Sequence, residues 1–155
     1  MLSKKQLETL LQLGLNTGAD FSEIFIEDTY SGSIRVNNGD VINVGTGNVH
    51  GVGVRLLQGI DEVYGYSNEV SYESIEKLMV NLSASFKGDK NTVKALGDKI
   101  EIVSTIKVPH DAVTPEVKSQ KLINLSNIIK SHDEKIIQAG AILIEWTQNV
   151  LIANS

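Results

Sequence analysis

The chain has 155 residues, 41% of them hydrophobic and 21% charged, with a formal net charge of −5 and no cysteine. That length fits one domain able to bury its apolar surface without covalent staples, and the absence of cysteine excludes disulfides and thiolate metal sites. Acids and bases are interspersed without a basic stripe, which argues against direct contact with nucleic acid; no run of eighteen apolar residues exists to span a membrane as a helix, and no long apolar h-region marks a secretory signal, so a cytoplasmic location is expected.

The first helix is well signalled. Ser3 and Gln6 have capping-box spacing, and Leu2 and Leu7 stand where a hydrophobic staple would place them. Leu7, Leu10 and Leu11 form an apolar face, and Gly14 or Gly18 ends the helix. From Asp20 the period changes from 3.6 to 2. "DFSEIFIEDTY" reads as a strand, and "SGSIRVNNGDVINVGT" as two short strands around Asn37-Asn38-Gly39-Asp40. Asn and Gly tolerate the positive φ that a tight hairpin demands.

In "GVGVRLL", Gly51, Gly53 and Arg55 fall on one face of a strand and Val52, Val54 and Leu56 on the other. Gln58 to Asp61 forms the turn, and "EVYGYSNE" returns. A phosphate-cradling loop would need a helix directly after the glycines, whereas here Leu56-Leu57 and another turn follow. The glycines instead clear room for the close approach of a helix or a neighbouring strand. On that reading Gly53→Val overpacks the strand and costs about 1–3 kcal/mol.

Ser71 caps a second helix, with Ile75, Leu78, Met79 and Leu82 as its buried stripe and Glu73 in its first turn, running to about Phe86. "KGDKNTVKALGDK" reads as a surface loop. Ile100 to Val108, "IEIVSTIKV", reads as a short strand ended by Pro109. Thr114-Pro115 starts a third helix, with Val117, Leu122, Leu125 and Ile129 as its apolar side up to about Lys130. "EKIIQAGAILIEW" reads as a long strand, "TQN" as its turn and "VLIANS" as the strand running back. The order predicts an α+β fold, a mainly antiparallel sheet of hairpins with about three helices packed on it. Residues 1–155 read as a single domain, and a stop at or just after a strand suggests one domain of a longer protein.

The search for chemistry returns little. His50, His110 and His132 share no i, i+3 or i, i+4 spacing, so no metal ligand is assigned and the histidines read as surface or loop residues. Glu27-Asp28, Asp61-Glu62 and Asp133-Glu134 read as acids at strand ends and turns. No G-x-S-x-G elbow is present, and no catalytic residue is assigned. Arg55, beside two glycines, offers a planar fork suited to a carboxylate; a structural ion pair is the stronger reading, because ion-pair networks mimic functional ones. The candidate binding residues are therefore Gly51, Gly53 and Arg55. Trp146 fits either the rim of a partner contact or the edge of the core.

Three stretches, "GADFSEIFIED", "GVGVRLLQGIDEVYGYSNEVSYESIEKL" and "SHDEKIIQAGAILIEWTQNVLIANS", resemble in order the N-terminal part of the TldD/PmbA family, whose members are also called modulators of DNA gyrase. The GVGVR segment, with Tyr64-Gly65-Tyr66 behind it, is more similar to the TldD branch. The resemblance implies a zinc metallopeptidase system that admits unfolded peptides to an internal cavity between paired homologous TldD- and PmbA-type subunits. It places the zinc-binding histidine–glutamate motif in a C-terminal half absent from this sequence. No such motif is present here, so no metal ligand is carried over and purified chain is expected to hold no stoichiometric zinc. By that resemblance the chain would be a non-catalytic scaffold, cavity wall and dimerisation domain, silent alone although the intact parent is a peptidase. A stand-alone regulatory module that binds protein without proteolysis is the alternative.

Overall fold

The computed structural model describes residues 2–155. In chain order the elements are α1 (Lys4–Gly14), β1 (Phe21–Asn37), β2 (Asp40–Gln58), β3 (Asp61–Ser67), α2 (Tyr72–Ser83), a short 3-10 turn (His110–Ala112), α3 (Pro115–Ser131) and β4 (Gly140–Asn154). The strands form one four-stranded sheet in the order β3-β2-β1-β4. Three helices and an antiparallel sheet make this the α+β fold that the sequence predicts. The chain divides into two units, and β1, β2 and β4 each contribute to both.

The first unit holds the stretch ending at Asp28, His50–Glu101 and Asn149–Ser155. Its N-terminal capping box is formed: the Gln6 amide donates to Ser3 Oγ at 3.3 Å and the Ser3 amide to Gln6 Oε1 at 2.9 Å. The helix ends at Gly14, the earlier of the two glycines predicted to stop it. Leu7, Leu10 and Leu11 of α1 meet Ile24 of β1, Val52, Val54 and Leu56 of β2 and Ile75 and Met79 of α2 in one core. Ile75 and Met79 of the predicted stripe are buried; Leu78 and Leu82 pack against the core from its margin. The Ser71 cap accepts from the Ser74 amide at 3.2 Å, and the helix ends at Ser83.

The polar stretch 87–99 has no regular structure, but it is strapped to α1 rather than loose on the surface. Gln12 donates to the Asn91 carbonyl at 2.8 Å and accepts from the Val93 amide at 3.0 Å, and Glu8 Oε1 accepts from the Leu96 amide at 3.0 Å. Val93 and Leu96 pack against the core.

The second unit holds Thr29–Val49 and Ile102–Gln148. The predicted hairpin turn is present at Asn38 (φ 51) and Gly39 (φ 85), the positive pair that a two-residue turn requires. Its tip is latched to α3. The Gly39 amide donates to Ser126 Oγ at 3.1 Å, and that hydroxyl donates to the Ala139 carbonyl at 2.8 Å. Ile34, Val36, Ala139, Ala141 and Ser126 are buried.

Four expectations are corrected. The short strands predicted on either side of Ser31-Gly32-Ser33 and of Gly47 are continuous, giving strands of 17 and 19 residues; a lone glycine leaves the ladder bonds intact, and nothing nearby supplies positive φ. "TQN" likewise is no turn. β4 runs straight through Thr147-Gln148-Asn149, none of which has positive φ. Ile100 to Val108 forms no strand and joins neither end of the sheet. Finally, the predicted apolar side of α3 is largely uncovered. Ser126 is its one buried residue, while Val117 and Leu125 are 48% and 47% exposed.

Candidate functional site

The candidate site lies in the first unit. Strand alternation sends Val52, Val54 and Leu56 into the core, so Gly51, Gly53 and Arg55 face the other way, as predicted. The β2–β3 register pairs Arg55 with Tyr64 and Gly53 with Tyr66. A shallow concavity of about 280 Å³ is lined by Glu23 and Phe25 of β1, Gly53 and Arg55 of β2, and Glu62 and Tyr64 of β3.

Arg55 is committed within this concavity. Its Nη2 lies 3.1 Å from Glu23 Oε1, and its guanidinium carbon lies 5.7 Å from the centroid of the Phe21 ring. The ion-pair reading of Arg55 thus has a named partner. Arg55 Nε is buried without a hydrogen-bond partner. One guanidinium stands against two carboxylates, Glu23 and Glu62, beside the rings of Phe25 and Tyr64. Such an arrangement suits a cationic or apolar group better than a second carboxylate.

The glycines do not all do the same thing. A Cβ at Gly51 would lie 2.7 Å from the Ser67 carbonyl oxygen, so the neighbouring strand does approach closely there. At Gly65 a Cβ would meet Leu78 and Leu82 of α2 at 3.3 Å, which is the close helix approach. At Gly53 the obstacle is the Tyr64 hydroxyl, 2.6 Å away, at the far end of an exposed side chain. A valine at Gly53 would push on the Tyr64 ring, whose Cε2 and Cζ also lie 3.1 Å from the added Cβ, and an exposed ring yields at small cost. Gly53→Val should melt within a few degrees of wild type, because the phenol can swing aside; a large fall in Tm would mean that the ring is held in place.

The histidines stay apart. His50 Nδ1 lies 3.6 Å from Asp28, and His132 caps the end of α3. His110 is half-buried rather than a surface residue: it stacks on Tyr30 at 4.2 Å between centroids, with Nδ1 3.1 Å from Thr147 Oγ1. Among the described residues no three His, Cys, Asp or Glu come together in a way that could hold a metal ion, so the residues present do not fit the zinc implied by the resemblance. Glu27-Asp28 lies inside β1 rather than at a strand end.

Sequence reasoning missed a polar cluster in the second unit. Lys118 Nζ donates to Glu145 Oε1 at 2.6 Å and to the His110 carbonyl, with Lys118 only 12% exposed. Alternation in "AILIEW" sets Glu145 on the β4 face opposite Ile142, Ile144 and Trp146, and the more apolar of the two faces is the one left uncovered, so no sequence signal marked this cluster. Trp146 is on the outward face and does not pack at the edge of the core.

Residues 22–85 match the family described as PmbA/TldA metallopeptidase domain 1. A solved structure from Thermotoga maritima, described as a modulator of a DNA gyrase, superposes with a TM-score of 0.69 at 13% identity, covering 98% of this chain and 34% of that one. Another so described, from Bacteroides thetaiotaomicron, gives 0.62 at 14% identity, covering 97% and 36%. TldE from Thermococcus kodakarensis gives 0.56 at 13%, covering 96% and 35%. The chain thus spans about a third of the length of these structures. No curated protein matches it. Among the described residues no helix is long and apolar enough to cross a membrane.

Proposed function

We propose that this chain is the non-catalytic first domain of a TldD-type zinc metallopeptidase of the cytoplasm, walling a cavity for unfolded peptides and pairing with a homologous TldD/PmbA-type subunit. The observation that carries this reading is the match of residues 22–85 to the first domain of a metallopeptidase. The share of the solved relatives that the chain spans supports it, since two thirds of each lies beyond the matched part. In this reading zinc and the hydrolytic step belong to another domain. Gly51, Gly53 and Arg55 belong to the cavity wall, where the depression beside Glu23 and Glu62 receives a basic or apolar side chain of an extended peptide.

The test is direct. Purified chain, supplied with zinc and an unfolded protein such as reduced casein, should release no peptide above a blank and should retain no zinc after dialysis. Cleavage that a chelator abolishes, or one tightly held zinc per chain, would overturn the proposal.

A further inference from the structure

Gly53 does not answer to the packing of the core, which lies on the other face of β2. What it accommodates is an aromatic ring. A Cβ at Gly53 would lie 2.6 Å from the Tyr64 hydroxyl and 3.1 Å from Cε2 and Cζ of the same ring. The phenol therefore rests low over the glycine, although it is 59% exposed and nothing in the core needs it there. Its position matters to the concavity that it lines with Phe25, Arg55, Glu23 and Glu62.

The lining carries an unbalanced charge. Glu23 is engaged by Arg55 at 3.1 Å, whereas Glu62, exposed on β3, makes no ion pair among the described residues. One negative charge is left over. A carboxylate ligand would meet that charge directly, and an apolar ligand would strip water from Glu62 with nothing in return. A cation on an aliphatic stem satisfies both parts of the lining: the stem lies along the rings of Phe25 and Tyr64, and the head reaches Glu62. Its volume of about 280 Å³ is below that of pockets that enclose whole small molecules, ~300–1,000 Å³, so it suits one side chain of a longer ligand. We propose that this depression is a subsite for a single lysine or arginine side chain of an extended peptide, with Glu62 as counter-ion, Phe25 and Tyr64 as walls, and Gly53 as the floor that lets the Tyr64 ring lie low.

The inference deepens the function proposed above and rests on it only in taking the ligand to be a peptide. Its measurement uses neither zinc nor cleavage. A negative result would leave the first-domain reading standing, and cleavage by the chain alone would leave the subsite standing. The probes are capped glycine peptides with one central lysine, norleucine or glutamate, titrated into the full chain labelled with nitrogen-15. The lysine peptide should move the amide resonances of Gly53, Glu62 and Tyr64 saturably and bind about fivefold more tightly than the norleucine peptide, the size expected of an exposed charge pair with a cation–π contact. Glu62→Gln should abolish that preference, and Glu62→Lys should reverse it in favour of glutamate. Gly53→Val should keep the wild-type melt yet bind the lysine peptide more weakly, because the displaced ring no longer forms the wall. Equal binding of lysine and norleucine, a lysine preference that survives Glu62→Lys, or undiminished binding by Gly53→Val would overturn the proposal. So would shifts scattered over the whole surface, which would mean only attraction to a chain of net charge −5.

Discussion

Leu56→Ala should lower the unfolding free energy by about 2–5 kcal/mol, while Leu57→Ala, one residue further along the same strand, should cost far less. Leu56 is fully buried among α1, α2 and the sheet, its Cδ2 only 2.6 Å from where a Cβ on Gly14 would sit, whereas Leu57 is half-exposed on the opposite face of β2. The difference follows from period-2 alternation alone. Urea unfolding of the two variants, read at equal m-values, checks it. Equal losses would mean that the register of β2 is shifted by one residue, placing the glycine and arginine face inside.

Lys118→Ala is expected to have the next largest effect, about 3 kcal/mol, a value set below the top of the range for broken buried pairs because Glu145 keeps some solvent. Lys118 is 12% exposed and Glu145 23%. Removing the ammonium strands a carboxylate under α3 and also frees the His110 carbonyl that it binds. The double variant Lys118→Met, Glu145→Leu should recover most of the loss, since an apolar pair of similar size has no charge to desolvate. Thermal melts of wild type, the single and the double decide the point; a double as unstable as the single would show that packing rather than charge is lost.

The readable parts of the fold were those set by local chemistry. The Ser3–Gln6 cap, the Asn38-Gly39 turn and the alternating faces of "GVGVRLL" each follow from a few neighbouring residues, and each is present. What was not readable depended on partners distant in sequence. Whether Ile100 to Val108 becomes a strand depends on its pairing with a sheet edge, and it pairs with neither end strand, β3 or β4. Which side of α3 is covered was set by Lys118 and Ser126 reaching Glu145 and Ala139, polar anchors that an apolar-stripe argument passes over. The candidate site was half legible. Alternation placed Gly51, Gly53 and Arg55 on one face, but Glu23, Phe25, Glu62 and Tyr64 come from other strands, and Glu23 as the companion of Arg55 depends on the β1–β2 register, which a sequence split into short strands could not supply.

The strap along α1 has a consequence for how this protein tolerates change. Glu8 and Gln12 are polar residues on the flank of the helix, where a sequence pattern marks them as free to vary, yet both are half-buried and spent holding main-chain amides of residues 93 and 96. The connecting passage therefore has a fixed length of travel: insertions at its far end, around Asp98, can bulge outwards harmlessly, whereas a one-residue deletion between Asn91 and Leu96 drags Val93 and Leu96 off the apolar seats they fill. In evolutionary terms, the solvent side of the first helix and the composition of that passage are bound to drift together.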